Sequence, residues 1–134
     1  FIQNDAVIFH GSKSSLNEIT FILDQMDVIL CPSHAEGMPN VIVEGMAREL
    51  AVLTTKVGAI EVIVNEENGI FCLPGNVQSL NKAMLKFIRM DQESLKNLQV
   101  NSKKIVIERL TWEKVGDQLS NVLLNITPKS ANEH

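Results

Sequence analysis

Four short apolar runs punctuate the chain: "AVIFH" from Ala6, "DVILC" from Asp27, "AVLTT" from Ala51 and "GIFCL" from Gly69. Each is built mainly from Val, Ile, Leu and Phe and shows little polar alternation. Strands buried on both faces read this way, and such strands belong to parallel sheets. Parallel neighbours need long crossover connections, so the segments between the runs must return the chain across the sheet. That combination leaves few architectures besides a layered α/β domain.

The intervening segments carry a helical period. Ser15 to Met26 opens with "SLNE", an S-x-x-E capping box of Ser15 and Glu18, and repeats Leu16, Ile19, Ile22, Leu23 and Met26 at spacings of three and four. Pro39 to Leu50 forms a second helix, and the link from Lys56 to Asn68 holds only a short helical turn around Val62-Ile63. After "LPGN" the pattern is purely helical: Val77 to Met90, then a polar helix capped by Asp91 and running to about Leu110. Thr111 caps a last helix, with Trp112 as its core anchor beside Val115, Leu119, Val122, Leu123 and Ile126. Residues 1–126 are expected to form one domain and 127–134 a frayed tail. Cys31 and Cys72 lie inside apolar runs, as reduced core thiols do, and a cytoplasmic setting fits them. A net charge of −4 argues against a nucleic-acid or anionic-lipid surface, and no apolar stretch approaches the ~20 residues that span a bilayer.

The chemistry concentrates in "CPSHAEGMPNVIVEGMA", Cys31 to Ala47. Pro39 suits the first helical position, where its missing N–H costs nothing. At 100° per residue Val43, Met46, Ala47 and Leu50 then face the core with Ile42 at the edge, while Val41, Glu44 and Arg48 lie opposite. Glu44 leans back toward the loop that carries Glu36. Both carboxylates thus border the crevice at the C-terminal end of "DVILC", the edge where open α/β sheets bind ligands. The amides near Met38, Asn40 and Val41 lack helical partners, and with the helix dipole they favour an anion such as phosphate, which Gly37 lets approach the backbone. Carboxylates beside a phosphate need other partners, and hydroxyl groups serve, at about 1.5–3 kcal/mol for each charge-assisted bond. A nucleoside diphosphate sugar carries hydroxyls on both sides of a pyrophosphate. Two other readings of the pair remain: a hydrolytic carboxylate pair, which needs about 5–9.5 Å where eight helical residues rise about 12 Å, and a plain Glu44–Arg48 ion pair with Glu36 in solvent.

"DVILCPSHAEGMPNVIVEGMA" resembles the signature of the group 1 glycosyltransferases, retaining enzymes with two Rossmann-like domains in the GT-B arrangement. Glu36 and Glu44 match their E-x7-E motif, Pro32-Ser33 the residues before it, "FHG" (Phe9 to Gly11) a strand-loop signature, and "VGAIEVI…NG" the glycine loop with Glu61, Asn68 and Gly69. "TWEKV" resembles the start of the final helix. The resemblance implies that Glu36 contacts the transferred sugar and is the catalytic candidate, and that Glu44 holds the ribose. It places Gly37, Met38, Pro39, Asn40, Val41, Ser33, Gly11 and His10 around the donor. The implied reaction moves a glycosyl group from a UDP- or GDP-sugar with retention, in glycan assembly, with no cofactor and no metal. His10 and His34 each compete with the plainer reading of a surface histidine.

Two departures stand out: the family's double glycine is Gly58-Ala59, and the Gly and Pro after the motif helix are Glu49 and Ala51. The resemblance also implies an acceptor-binding domain and two earlier β–α units that these 134 residues lack. The fold expected is therefore an incomplete GT-B C-terminal domain, a Rossmann-like parallel sheet of about four short strands with flanking helices followed by C-terminal helices. Inactive alone, it exposes sheet edges open to self-association. In the parent the protein is expected in the cytoplasm, at the inner face of the membrane. The alternatives are a sugar-nucleotide epimerase of the same architecture and a noncatalytic nucleotide-binding or protein-interaction module.

Overall fold

The computed structural model describes residues 7–126. Three parallel strands form one sheet in the order β1 (Val28–Cys31), β2 (Ala51–Thr55), β3 (Gly69–Cys72). The register pairs Val28 with Ala51 and Cys31 with Thr54, then Val52 with Gly69 and Thr55 with Cys72. All five residues of β2 are buried, as its unalternating run requires.

The described residues also form five α-helices: α1 (Leu16–Leu23), α2 (Asn40–Ala47), α3 (Val77–Ile88), α4 (Gln92–Ile105) and α5 (Trp112–Ile126). Alternate strand residues feed two cores. Ile29 and Val52 pack with Leu23, Ile42, Met46, Ile60 and Ile63, and the end of α4 closes that layer through Ile105 and Val106. Leu53 and Cys72 join Ala83 of α3, with Val28, Ile70, Leu80 and Phe87 at the margin. The buried Cys72 thiol is pushed above its usual pKa by desolvation, and both cysteines are free.

The first apolar run does not become a strand. Residues 7–10 join no sheet, and Val7, Ile8 and Phe9 are exposed. A strand is defined by the neighbour that accepts its hydrogen bonds, and no neighbour stands beside this run among the described residues. The sheet accordingly has three strands rather than four. Ser15 sits at the α1 N-cap, but its side chain makes no cap bond and Glu18 pairs with Lys13 at 3.4 Å, so the capping box does not form.

The α2 boundary shifts by one residue. Pro39 is the N-cap, with extended φ −72° and ψ 115°, rather than the first helical residue. The buried stripe becomes Ile42, Gly45 and Met46, with Val43 and Ala47 only half-buried. Gly45 belongs to it because a Cβ there would stand 3.1 Å from Ile29 side-chain atoms, so the helix rides directly on β1. Leu50 is buried in the turn beyond the helix.

The link from β2 to β3 contains one 3₁₀ turn, Ile60–Val62, beside the Val62-Ile63 position that its sequence suggested. Asp91 caps α4 by accepting the Ser94 N–H at 2.8 Å, and α4 continues through a π-helical turn, Val106–Leu110, to the Thr111 cap. Trp112 is no core anchor: it is 91% exposed, and Leu119, Val122, Leu123 and Ile126 are also exposed. Periodicity identified the apolar face of α5 without saying what covers it. The sequence-expected tail, 127–134, lies outside the described residues.

Candidate functional site

Parallel strands end together, so the loops that follow β1, β2 and β3 share one edge of the sheet. Backbone packing ties them to one another. Gly58, at φ +59°, lies so close to the first loop that a Cβ would stand 2.0 Å from the Glu36 carbonyl oxygen and 2.6 Å from that of Gly37. The Ala59 N–H donates to the Gly37 carbonyl at 2.9 Å. His34 rests on the third loop, where a Cβ on Gly75 would meet its Cε1 at 2.8 Å.

The β1 loop is also held from below by two buried threonines that carry hydrogen bonding past the end of the ladder. Thr54 Oγ1 donates to the Cys31 carbonyl at 2.9 Å and Thr55 Oγ1 to the Ser33 carbonyl at 2.6 Å. On that frame Glu36 is half-buried, and its Oε1 accepts a 2.7 Å hydrogen bond from Ser33 Oγ. Cys31 Sγ stands 3.5 Å from the same hydroxyl and 3.9 Å from the same carboxylate oxygen. Glu36 is therefore tied to its own loop through one carboxylate oxygen.

Four residues later α2 begins. Its amides at Asn40 and Val41 have no carbonyl within the helix to bond, and the Ile42 N–H is the first to find one, Pro39 O at 3.1 Å. Pro39 is buried, whereas Met38, Asn40 and Val41 are exposed. Gly37 faces open space, with no heavy atom within 4 Å of a Cβ placed there. Glu44 is exposed on the outer face of α2, one turn along. Arg48 is taken by Asp24 at the C-cap of α1, through a two-pronged contact, so the simple Glu44–Arg48 pair does not form.

The structure thus assembles Ser33, Glu36, Gly37, Met38, Pro39, Asn40 and Val41 on one loop and helix start, with Glu44 on the same helix. It does not bring His10 or Gly11 there. His10 lines a shallow groove along α1 with Lys13, Asn17, Phe21 and Gln25. A separate cavity of about 620 Å³ lies beside β3, where Lys56 sits 4.8 Å above the Phe71 ring and 3.5 Å from Glu61. Sequence reasoning missed Thr54, Thr55 and the steric role of Gly58. The "TT" closing the β2 run was the available signal, since hydroxyls at a buried strand end need acceptors. Among the described residues no group of three or more His, Cys, Asp or Glu could hold a metal ion, and no helix is long and apolar enough to cross a membrane.

Residues 2–105 match the profile of the family described as Glycosyl transferases group 1. The chain belongs to that family. Over 100 residues it is 30% identical to the capsular polysaccharide biosynthesis glycosyltransferase CapM of Staphylococcus aureus, covering 74% of this chain and 26% of that one. The C-terminal domain of a group 1 glycosyltransferase, LpcC, from Francisella tularensis superposes with TM-score 0.64 at 30% identity, covering 76% of this chain and 52% of the other. Anabaena HepE in complex with UDP-glucose superposes with TM-score 0.68 at 23% identity, covering 78% and 29%. The chain spans 29% and 26% of the length of the first curated relatives it matches. Group 1 glycosyltransferase membership accounts for the GT-B-type α/β layers and for the parallel sheet, here of three strands.

Proposed function

We propose that this chain is the donor-binding part of a retaining glycosyltransferase that takes a nucleoside diphosphate sugar and serves the assembly of a surface polysaccharide. The observation that carries the proposal is the Glu36 carboxylate, tied to its own loop through one oxygen, beside the open start of α2. A carboxylate held by a donated bond on one oxygen keeps the other free to accept a sugar hydroxyl, and the first amides of α2 offer the pyrophosphate its donors. Glu36 faces the transferred sugar. Glu44, one turn along, receives the ribose hydroxyls, while the backbone at Gly37, Met38, Asn40 and Val41 borders the phosphates.

In the reaction proposed, the bond from the anomeric carbon to the leaving phosphate oxygen breaks and a bond to an acceptor oxygen forms on the same face. The acceptor proton passes to the departing phosphate. The names of relatives in capsule, colanic acid and teichuronic acid biosynthesis support the glycan setting, and the UDP-glucose complex of HepE supports a uridine donor. The proposed site of action is the cytoplasmic face of a membrane.

Calorimetric titration of the complete gene product with UDP, GDP and ADP tests the reading. One nucleotide is expected to bind, and Glu44→Gln is expected to weaken it about tenfold with an unchanged circular dichroism spectrum. No binding by any of the three would favour a noncatalytic module, and an unchanged affinity in Glu44→Gln would remove the ribose role.

A further inference from the structure

We infer that Ser33 is a positioning residue for Glu36, acting on the donor through that carboxylate rather than by touching the donor itself. The inference rests on the reading of Glu36 as the residue that faces the sugar. Ser33 Oγ has one hydrogen to donate, and the structure spends it on Glu36 Oε1 at 2.7 Å. Its own backbone does not drift, because Thr55 Oγ1 donates to the Ser33 carbonyl at 2.6 Å and Thr54 Oγ1 to the Cys31 carbonyl at 2.9 Å.

Both threonines are wholly buried on the central strand. A rigid strand therefore fixes a loop carbonyl, the same residue's hydroxyl fixes a carboxylate oxygen, and the backbone of Glu36 is closed from the other side by Gly58. Glu36 Oε2 receives no donor among the described residues. One oxygen is thus committed to the scaffold and one is left for the substrate, a division that sets which carboxylate lone pairs meet a sugar hydroxyl. The Cys31 thiol stands 3.5 Å from Ser33 Oγ and 3.9 Å from Glu36 Oε1, beside the same carboxylate oxygen. Glutamate has three side-chain torsions, so a single such bond removes much of its freedom before the sugar arrives.

The test is a double-mutant cycle in the complete gene product, read as release of nucleoside diphosphate from UDP-glucose, UDP-N-acetylglucosamine or GDP-mannose. Ser33→Ala is expected to lower kcat/KM about tenfold or more with an unchanged melting temperature. Ser33→Thr, which keeps the hydroxyl, is expected to recover most of that loss. In a Glu36→Ala background, adding Ser33→Ala is expected to change the remaining rate less than about twofold, because the acceptor that the serine holds has already gone. Full additivity of the two substitutions would overturn the inference, and so would a Ser33→Thr protein as slow as Ser33→Ala. If Ser33→Ala does not fold, Ser33→Cys, similar in shape but a weaker donor, takes its place under the same criteria. A Glu36→Ala protein with undiminished turnover, or no release from any of the three sugars, would instead overturn the donor reading on which the inference stands.

Discussion

Gly58 is the glycine whose replacement meets most resistance. At φ +59° an L residue is strained by about 1–2 kcal/mol, and its Cβ would press into the Glu36 carbonyl. Gly58→Ala is therefore expected to lower the unfolding free energy by about 2–4 kcal/mol and to weaken donor binding with it. Denaturant unfolding checks the first and calorimetry the second; a stability change under about 0.5 kcal/mol would contradict the contact. The same turn explains why the family's second glycine is dispensable here. Ala59 sits at φ −91°, where a methyl group costs nothing, and needs only its N–H to hold Gly37. Residue types at the site were legible because carboxylates, glycine and proline each have few reasons to stand where they do. The sequence offered Ser33 as a candidate but could not pair it with Glu36, since a hydroxyl finds its acceptor only once the loop has its shape.

At the scale of elements, α2 ends in a manner its sequence conceals. Its left-handed C-terminal residue, where glycine is usual, is Glu49 at φ 61°. The strain is offset from outside the helix: Lys103 and Lys96 of α4 reach the Glu49 carboxylate at 2.8 and 2.9 Å. Those two ammonium groups, Lys103 foremost, pull its pKa from 4.5 to about 2. A pKa depressed on folding means that the unfolded chain binds the proton more readily, so this contribution to stability is full above about pH 4.5 and is lost as the pH falls toward 2. Urea midpoints between pH 6 and pH 2.5 should drop less steeply in Glu49→Gln than in the parent. Equal slopes would show that the clamp does not hold α4 to α2. Three of the four apolar runs were legible as strands and the Asp91 and Thr111 caps as helix starts, because each is settled within a few residues. The run at residues 7–10 and the apolar face of α5 were not, because pairing and cover come from distant chain.

At the scale of the whole molecule, the sheet orients the site and leaves surface to spare. The outer side of β1 has no strand beside it among the described residues, and Leu30 there is 43% exposed. The apolar residues of α5 stand clear of both cores. The proposed donor site draws its parts from consecutive elements, the ends of β1 and β2 and the start of α2, which the parallel ladder brings to one edge. Support for Glu36 is local to that edge. The most direct measurement is a crystal structure of the complete gene product with a bound nucleoside diphosphate sugar. The pyrophosphate is expected against the Asn40 and Val41 amides, a sugar hydroxyl on the Glu36 oxygen that Ser33 leaves free, and the ribose at Glu44. A donor bound elsewhere, in the cavity beside Lys56 and Phe71 for example, with Glu36 and Glu44 both facing solvent, would contradict this placement.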